Sequence, residues 1–138
     1  MDRRNFMHLA LAGSATAVLL PTSAHAAASP AGGLYYTREA PGRWASKVAT
    51  HMPIVEVSQG KDGVVINVAT PHEMKGYEHY IVKHVVLDKN YQFIAEKMFD
   101  PSKDSAALSS FNVGQYKGVL NVLSMCNKHD LWLASVEI

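Results

Sequence analysis

The sequence carries a small set of metal-binding side chains that are spread along most of its length. Four histidines and the only cysteine lie at the ends of short apolar runs or in the polar turns between them; they are His51, His72, His79, His129 and Cys126. Imidazole and thiolate are donors that proteins use to bind iron, zinc and copper. The pattern predicts one metal site if the fold gathers these segments at one rim.

The single cysteine leaves three interpretations open. In an exported protein, Cys126 is a link to another chain, a buried inert thiol or a metal ligand. The two-residue gap between Cys126 and His129 lets both side chains converge from one turn, a spacing that zinc sites also use. Five candidate ligands nevertheless exceed the four of a typical structural zinc site. A metal other than structural zinc is therefore favoured.

Residues 1–26 have the pattern of an export signal. Arg3 and Arg4 precede an uncharged run from Leu9 to Leu20, and small residues occupy the −3 and −1 positions of a cut after Ala26. The run is shorter than the ~20 residues that cross a bilayer, so we expect a cleaved signal and no membrane segment after its removal. The paired arginines resemble a twin-arginine signal, which implies export of a folded protein to the periplasm.

Residues 27–138 are then a single domain with balanced charge. Removal of the signal takes away two arginines and one aspartate, which leaves 11 basic and 11 acidic residues. The sequence contains no basic cluster or arginine-rich arm, so we do not expect a nucleic-acid partner.

The domain is predicted to be all-β. Its apolar residues form short alternating or β-branched runs separated by turn clusters, and no window supports a long amphipathic helix. About seven such strands predict an antiparallel sandwich or barrel; the runs are Ile54–Ser58, Val64–Thr70, Tyr80–Leu87, Tyr91–Phe99, Ala107–Phe111, Val119–Met125 and Leu131–Val136. His84 lies inside the third run, at an odd spacing from His79, so strand alternation points it away from the site.

The order of the ligand segments is more specific than any one of them. Together they resemble the motifs of superoxide reductases, the desulfoferrodoxin/neelaredoxin family, and the resemblance extends from about residue 41 to the C-terminus. The segments that carry it are Pro41-Gly42-Arg43-Trp44, His51-Met52-Pro53, Pro71-His72-Glu73-Met74, His79-Tyr80-Ile81, Cys126-Asn127-Lys128-His129 and Leu131-Trp132.

The resemblance implies an immunoglobulin-like β-sandwich with one iron. Four equatorial imidazoles and the axial sulfur of Cys126 would bind that iron, and superoxide would be reduced to hydrogen peroxide with electrons from an unidentified donor. The two-iron members carry a further four-cysteine site, for which this chain lacks the cysteines, so it resembles the one-iron neelaredoxin type. Related one-iron proteins often form homo-oligomers, which makes a homo-oligomer an expectation here.

The sequence departs from the family in front of the first ligand. Family members usually have Glu-Lys there, where this chain has Ala49 and Thr50. The Glu commonly caps the open iron position and the Lys attracts the anionic substrate. Lys47, Lys75 and Lys128 are the candidates for the missing positive charge.

Two further expectations concern the loop before His79 and the surroundings of the Cys126 sulfur. One residue more than usual separates His72 from His79, and we expect the loop Lys75-Gly76-Tyr77 to absorb it. We also expect the backbone N–H of Asn127 to donate a hydrogen bond to the Cys126 sulfur.

Two other functions remain open at this stage. The first is a redox-inactive or electron-transfer iron protein on the same scaffold, which the missing Glu-Lys pair suggests. The second is a sandwich that holds zinc or copper for storage or delivery.

Overall fold

The computed structural model describes residues 28–138, so the predicted export signal lies outside the described residues. Seven strands confirm the all-β prediction, each within a few residues of its predicted place. Their bounds are β1 Ile54–Gly60, β2 Gly63–Thr70, β3 Ile81–Leu87, β4 Phe93–Met98, β5 Ala107–Gly114, β6 Val119–Cys126 and β7 Asp130–Glu137. One four-residue helix, α1 (Val48–His51), and two short 3-10 segments, Gly42–Lys47 and Gly76–Glu78, accompany them.

The strands form two antiparallel sheets. One has the order β1-β2-β5 and the other β4-β3-β6-β7. These orders correspond to strands A-B-E and C′-C-F-G of an immunoglobulin-like sandwich, which confirms the fold class. Within β2, alternation directs Val64, Ile66 and Val68 into the space between the sheets, and all three are buried.

The main core lies between the sheets. Its six buried members come from both sheets and are Ile66, Val68, Val86, Phe111, Leu120 and Val122. Full burial of such a side chain stabilises a fold by roughly 1.5–3 kcal/mol. Two smaller apolar clusters, one around Ile81 and Phe99 and one around Tyr36 and Trp132, lie closer to the candidate ligands.

The antiparallel topology gives the sandwich two unlike ends. The chain enters β1, passes from β2 to β3 and turns from β6 to β7 at one end, and all the candidate ligands lie in these three places. The turns β1–β2, β3–β4 and β5–β6 lie at the opposite end. Within residues 28–138, no helix has the length and apolar composition needed to cross a bilayer.

Candidate metal centre

The five predicted ligands come from three segments at one end of the sandwich. His51 is the last residue of α1, directly before β1. His72 and His79 lie in the connection between β2 and β3, and His79 precedes the first residue of β3 by two positions. Cys126 ends β6, and His129 lies in the three-residue turn that follows.

The structure brings all five donor groups together. One atom of each ligand lies within 4.8 Å of the corresponding atom of every other ligand. His72 Nε2 is 3.0 Å from His79 Nε2, and His129 Nδ1 is 3.1 Å from both His79 Nε2 and His51 Nε2. Cys126 Sγ is 3.6 Å from His72 Nε2 and 3.5 Å from His129 Nδ1.

These distances fit a ring of four nitrogens around one ion. With a metal–imidazole distance of about 2.1 Å, adjacent nitrogens of a square lie ~3.0 Å apart and opposite ones ~4.2 Å apart. The short contacts place His129 between His51 and His79, and His72 beside His79. The rings of His51 and His79, on opposite sides, have centroids 6.3 Å apart, whereas those of His51 and His72 are 4.6 Å apart.

Two ligands have their tautomer fixed by backbone carbonyls. His51 Nδ1 lies 3.1 Å from the carbonyl oxygen of Lys47 and 2.8 Å from the Thr50 hydroxyl, which itself donates to the Lys47 carbonyl at 3.3 Å; His72 Nδ1 donates to the carbonyl of Glu73. Each Nδ1 must carry the proton, so each Nε2 presents a lone pair to the site. Such carbonyl partners orient metal-binding imidazoles.

The fixed tautomers make the ring unsatisfied without a cation. His129 Nδ1 would have to donate to His51, and His79 Nε2 would have to donate to His72. The 3.1 Å contact between His129 and His79 would then join two N–H groups. A cation at the centre that accepts all four lone pairs removes this conflict, so the donor set fits a metal ion.

Burial keeps the imidazoles neutral, which is the form that binds metals. Desolvation, and after it the charges of the neighbouring histidines, lowers the pKa of His51 to about 4. Desolvation is also the main cause of the lowered pKa of His72, His79 and His129. At neutral pH the four imidazoles are therefore uncharged, and their nitrogens that face one another can bind a cation.

The burial of Cys126 bears on the three interpretations of this residue. Its side chain is 3% exposed, so its sulfur is not positioned for a disulfide with another chain. The sulfur lies against two imidazole nitrogens and therefore does not occupy a purely apolar environment. Of the three interpretations, a metal ligand agrees best with this geometry.

Two tryptophans hold the His129 turn. Trp132 Nε1 donates to the carbonyl of His129 at 2.9 Å, and the Trp44 ring meets the His129 ring edge to face at 4.7 Å. Asp130 accepts from Trp44 Nε1 at 2.8 Å and from the Arg43 guanidinium at 2.6 Å. These contacts explain why Arg43-Trp44 and Trp132 accompany the ligands in the sequence. No sequence pattern indicated a role for Asp130, whose φ of 63° is unusual for a residue other than glycine.

The expectation for the Asn127 backbone was wrong. Its N–H donates to the carbonyl of Tyr80 at 3.2 Å and not to the sulfur. Its side chain extends the same link, because Oδ1 accepts from the Tyr80 N–H at 3.0 Å and Nδ2 donates to the carbonyls of Tyr77 and Glu78 at 3.3 and 3.0 Å. Asn127 therefore fastens the turn after Cys126 to the loop that carries His79.

The longer loop before His79 closes on itself. Lys75 N–H donates to the carbonyl of His79 at 3.1 Å, and Gly76 adopts a φ of +55° that side chains rarely tolerate. Tyr77 donates from its hydroxyl to Asp100 at 2.9 Å. His79 precedes β3, and the pairing of β3 with β6 shifts by one residue directly after it, between Ile81 and Lys83.

The three candidate lysines have different surroundings. Lys47, with Thr50 and Glu73, lines a pocket of about 210 Å³ whose wall includes His51, His72 and His79. Lys75 forms an exposed ion pair with Glu73 at 2.8 Å. Lys128 is exposed, and its charge lowers the pKa of His79 and His129 after the larger effect of their burial. Of the three lysines, Lys47 is the one that lines a pocket together with candidate ligands.

Comparison with known proteins agrees with this geometry. The sequence model of the desulfoferrodoxin family matches residues 43–135. The solved superoxide reductase (neelaredoxin) from Ignicoccus hospitalis is 26% identical with a TM-score of 0.62, over 78% of this chain and 95% of that one. A point variant of it is 27% identical with a TM-score of 0.65, over 78% and 94%.

The superoxide reductase from Treponema pallidum is 26% identical with a TM-score of 0.50, over 62% of this chain and 66% of that one. No curated protein sequence matches the chain significantly. The matched family region runs from Arg43 to Ser135 and contains the five gathered donors and the strands that carry them. This chain therefore belongs to the desulfoferrodoxin family, with the β-sandwich fold of the superoxide reductases.

Proposed function

We propose that this protein is a superoxide reductase whose site holds one iron ion. The observation that carries the proposal is the convergence of the donor atoms of His51, His72, His79, His129 and Cys126 within 4.8 Å of one another. Iron accepts both imidazole and thiolate, and five donors leave one position of an octahedron for the substrate. The solved proteins of similar fold support this activity for the present chain.

Iron bound there would supply one electron by passing from the ferrous to the ferric state while superoxide and two protons become hydrogen peroxide. The four neutral imidazoles bring no charge to the site, and Cys126 brings the negative charge of a thiolate. A thiolate donates electron density toward the position opposite to it. An external donor, which we propose is a separate redox partner, returns the electron.

The protein's own contribution to substrate capture is local, because the domain has no net charge once the signal is removed. We assign the attraction of superoxide to Lys47, which lines the pocket beside three of the histidines. The Glu73 carboxylate on the same pocket is paired with Lys75, which leaves Lys47 to attract an anion over a distance that shortens with added salt. Lys47 would thus replace the Lys that the family carries where this chain has Thr50.

We further propose that the protein acts in the periplasm after export through the twin-arginine route. The support is the Arg3-Arg4 pair and the apolar run from Leu9 to Leu20. Fractionation of cells that express the full chain, and of cells that express an Arg3→Lys, Arg4→Lys double variant, tests this. Retention of the double variant in the cytoplasm is expected, and its normal export would contradict the route.

The deciding experiment for the activity is pulse radiolysis of the reduced, iron-loaded protein. A superoxide reductase should react with superoxide close to the diffusional limit. Failure of the iron-loaded protein to react would favour the rival assignment, an electron-transfer or redox-inactive iron protein. That rival draws its support from Ala49 and Thr50, which occupy the positions of the usual Glu-Lys pair.

Metal analysis separates iron from the zinc or copper alternatives. Protein purified without added metal should contain one iron per chain, and the oxidised form should show a visible thiolate-to-iron(III) absorption. Stoichiometric zinc or copper in its place would contradict the proposal.

A further inference from the structure

A group of hydrogen-bonded polar side chains lies buried between the sheets, one layer below the candidate ligands. His84 Nε2 is 2.8 Å from Thr70 Oγ1 and His84 Nδ1 is 2.7 Å from Ser109 Oγ. Thr70 Oγ1 is also 2.8 Å from Ser124 Oγ. His84 and Ser124 are fully buried, and Thr70 and Ser109 nearly so. We call these four residues the buried polar layer.

The buried polar layer joins the two sheets. Thr70 and Ser109 belong to β2 and β5 of one sheet, whereas His84 and Ser124 are direct neighbours on β3 and β6 of the other. The imidazole places its two nitrogens on opposite sides of a planar ring, so a single side chain reaches both strands of the facing sheet. The edge of this ring also contacts Phe99, at a centroid distance of 4.9 Å.

Such a layer is stable only while its hydrogen-bond donors and acceptors remain paired. Apolar clusters lie on both sides of it, around Val86 and Val122 on one side and around Ile81 and Phe99 on the other. Burial of a hydroxyl or an imidazole N–H without a partner destabilises a fold, and the polar atoms of this layer all have partners. An apolar layer would fill the same space without requiring this match of donors and acceptors. The directional bonds instead fix the spacing between the sheets at this level.

Two members of the layer, Thr70 and Ser124, each lie two residues before a candidate metal ligand. The carbonyl of Thr70 accepts the backbone N–H of His72 at 2.7 Å. Ser124 precedes Cys126 by two positions on β6, so both side chains lie on the inner face of the sheet. The Thr70–Ser124 hydrogen bond therefore connects the segment of His72 to the segment of Cys126 across the gap between the sheets.

We propose that His84 is a positioning residue, which acts through Thr70 and Ser124 to set the distance between His72 and the Cys126 thiolate. The 3.6 Å separation of Cys126 Sγ from His72 Nε2 is the quantity that the layer controls. A looser layer would let β2 and β6 separate, which would lower the affinity for a metal held by both His72 and Cys126. This inference rests on the proposed metal site and adds a group that does not touch the metal.

The test compares variants of the layer with a variant of the neighbouring apolar core. Thr70→Val and Ser124→Ala remove the hydroxyls that join the sheets, and Thr70→Ser restores the hydroxyl at the first position. Val122→Ala is the matched control, because Val122 is fully buried on the same strand as Ser124 and takes no part in the layer. His84→Leu removes the proposed positioning residue itself and should lose cobalt(II) affinity as Thr70→Val does; a folded His84→Leu variant that keeps its cobalt(II) affinity would contradict the proposal.

Three quantities are measured for each variant: cobalt(II) affinity, the energy of the thiolate-to-metal absorption, and the thermal midpoint. We expect Thr70→Val and Ser124→Ala to lose cobalt(II) affinity by about tenfold and to shift the absorption; this is the low end of the loss caused by removing a direct partner of a ligand, because these hydroxyls act one step further from the ligands. Thr70→Ser and Val122→Ala should keep both quantities near those of the unaltered protein, although Val122→Ala lowers the thermal midpoint.

The outcomes separate this inference from the proposed function. If the layer variants lose thermal stability as Val122→Ala does while cobalt(II) affinity stays within about twofold and the absorption is unmoved, the positioning role is wrong. The proposed function would still stand in that case. If the unaltered protein binds neither iron nor cobalt(II) through sulfur, the proposed function itself fails.

Discussion

At the scale of single residues, the site depends on how each ligand is held from behind. His51 and His72 donate hydrogen bonds from Nδ1 to backbone carbonyls, and the His129 carbonyl accepts a hydrogen bond from Trp132. The types and spacing of the ligands were readable from the sequence, because imidazole and thiol donors are few and their order is specific. The carbonyl partners were not readable, since every residue has a carbonyl and only the fold brings one to an imidazole.

Replacement of Cys126 by Ser is expected to abolish the visible thiolate-to-iron(III) absorption while the four imidazoles retain some iron at lower affinity. The reason is that the absorption requires the sulfur, which the substitution removes, and that a protonated serine hydroxyl binds iron more weakly than a thiolate. An optical spectrum and iron analysis of the same sample check this. A band that survives the substitution would identify another group as the axial ligand.

Replacement of Lys47 by Ala is expected to slow the second-order reaction with superoxide by about tenfold at low salt and to flatten its dependence on ionic strength. The variant loses the positive charge of the pocket beside His51, His72 and His79. Lys61→Ala removes the same charge from the turn at the opposite end of the sandwich and serves as the control. Equal effects of the two substitutions would show that net charge matters and the position of Lys47 does not.

At the scale of elements, the strand ends position the chemistry. Apolar alternation predicted each strand to within a few residues, and therefore also predicted that the ligands lie at strand ends. It did not predict α1, because four residues carry too little periodicity to identify a helix. Nor did it predict the link from Asn127 to the loop before β3, since the pairing of two loops depends on the register of β3 with β6.

Replacement of Asn127 by Ala is expected to lower metal affinity by about tenfold, because the loop that carries His79 loses its attachment to the Cys126 turn. Faster hydrogen exchange of the Tyr80 amide, which donates to Asn127 Oδ1, should accompany the loss. Asn127→Asp keeps this acceptor and should show the smaller change in Tyr80 exchange. Unchanged exchange at Tyr80 in the Ala variant would contradict the attachment.

At the scale of the whole molecule, the main apolar core and the four candidate histidines occupy different regions of one sandwich. The main core lies between the sheets and the histidines lie outside the strands, whereas Cys126 ends β6 and packs in the smaller cluster around Ile81 and Phe99. Strand number and class were predictable from the sequence, whereas the assignment of each strand to a sheet follows from long-range pairing that no local pattern contains. His84 illustrates the limit: its exclusion from the ligand set was predictable, but its partners on β2 and β5 were not.

The metal-free protein is expected to lose stability as the pH falls from 6.5 to about 4. Burial lowers the pKa of His84 and of His51 to about 4, from 6.5 when unfolded. The unfolded chain therefore binds these protons first, so the stability is fully present above pH 6.5 and declines toward pH 4. The decline is about 1.4 kcal/mol per pH unit for each histidine that titrates only in the unfolded state.

Urea unfolding of the metal-free protein at several pH values measures this slope. The interval from pH 7 to 8 serves as the reference, because neither histidine changes protonation there in either state. A free energy of unfolding that stays constant between pH 6.5 and 4 would show that the two imidazoles are not kept neutral by burial.

The unlike ends of the sandwich also decide how the protein can be attached to a surface. Lys61 and its turn lie eight residues of extended strand away from Thr70, which is roughly 25 Å. A label, a resin or an electrode coupled through a cysteine introduced at Lys61 would leave the ligand end facing the solution. Films oriented in this way would expose the site to dissolved superoxide and to a dissolved electron donor, and would hold it roughly 25 Å from the support.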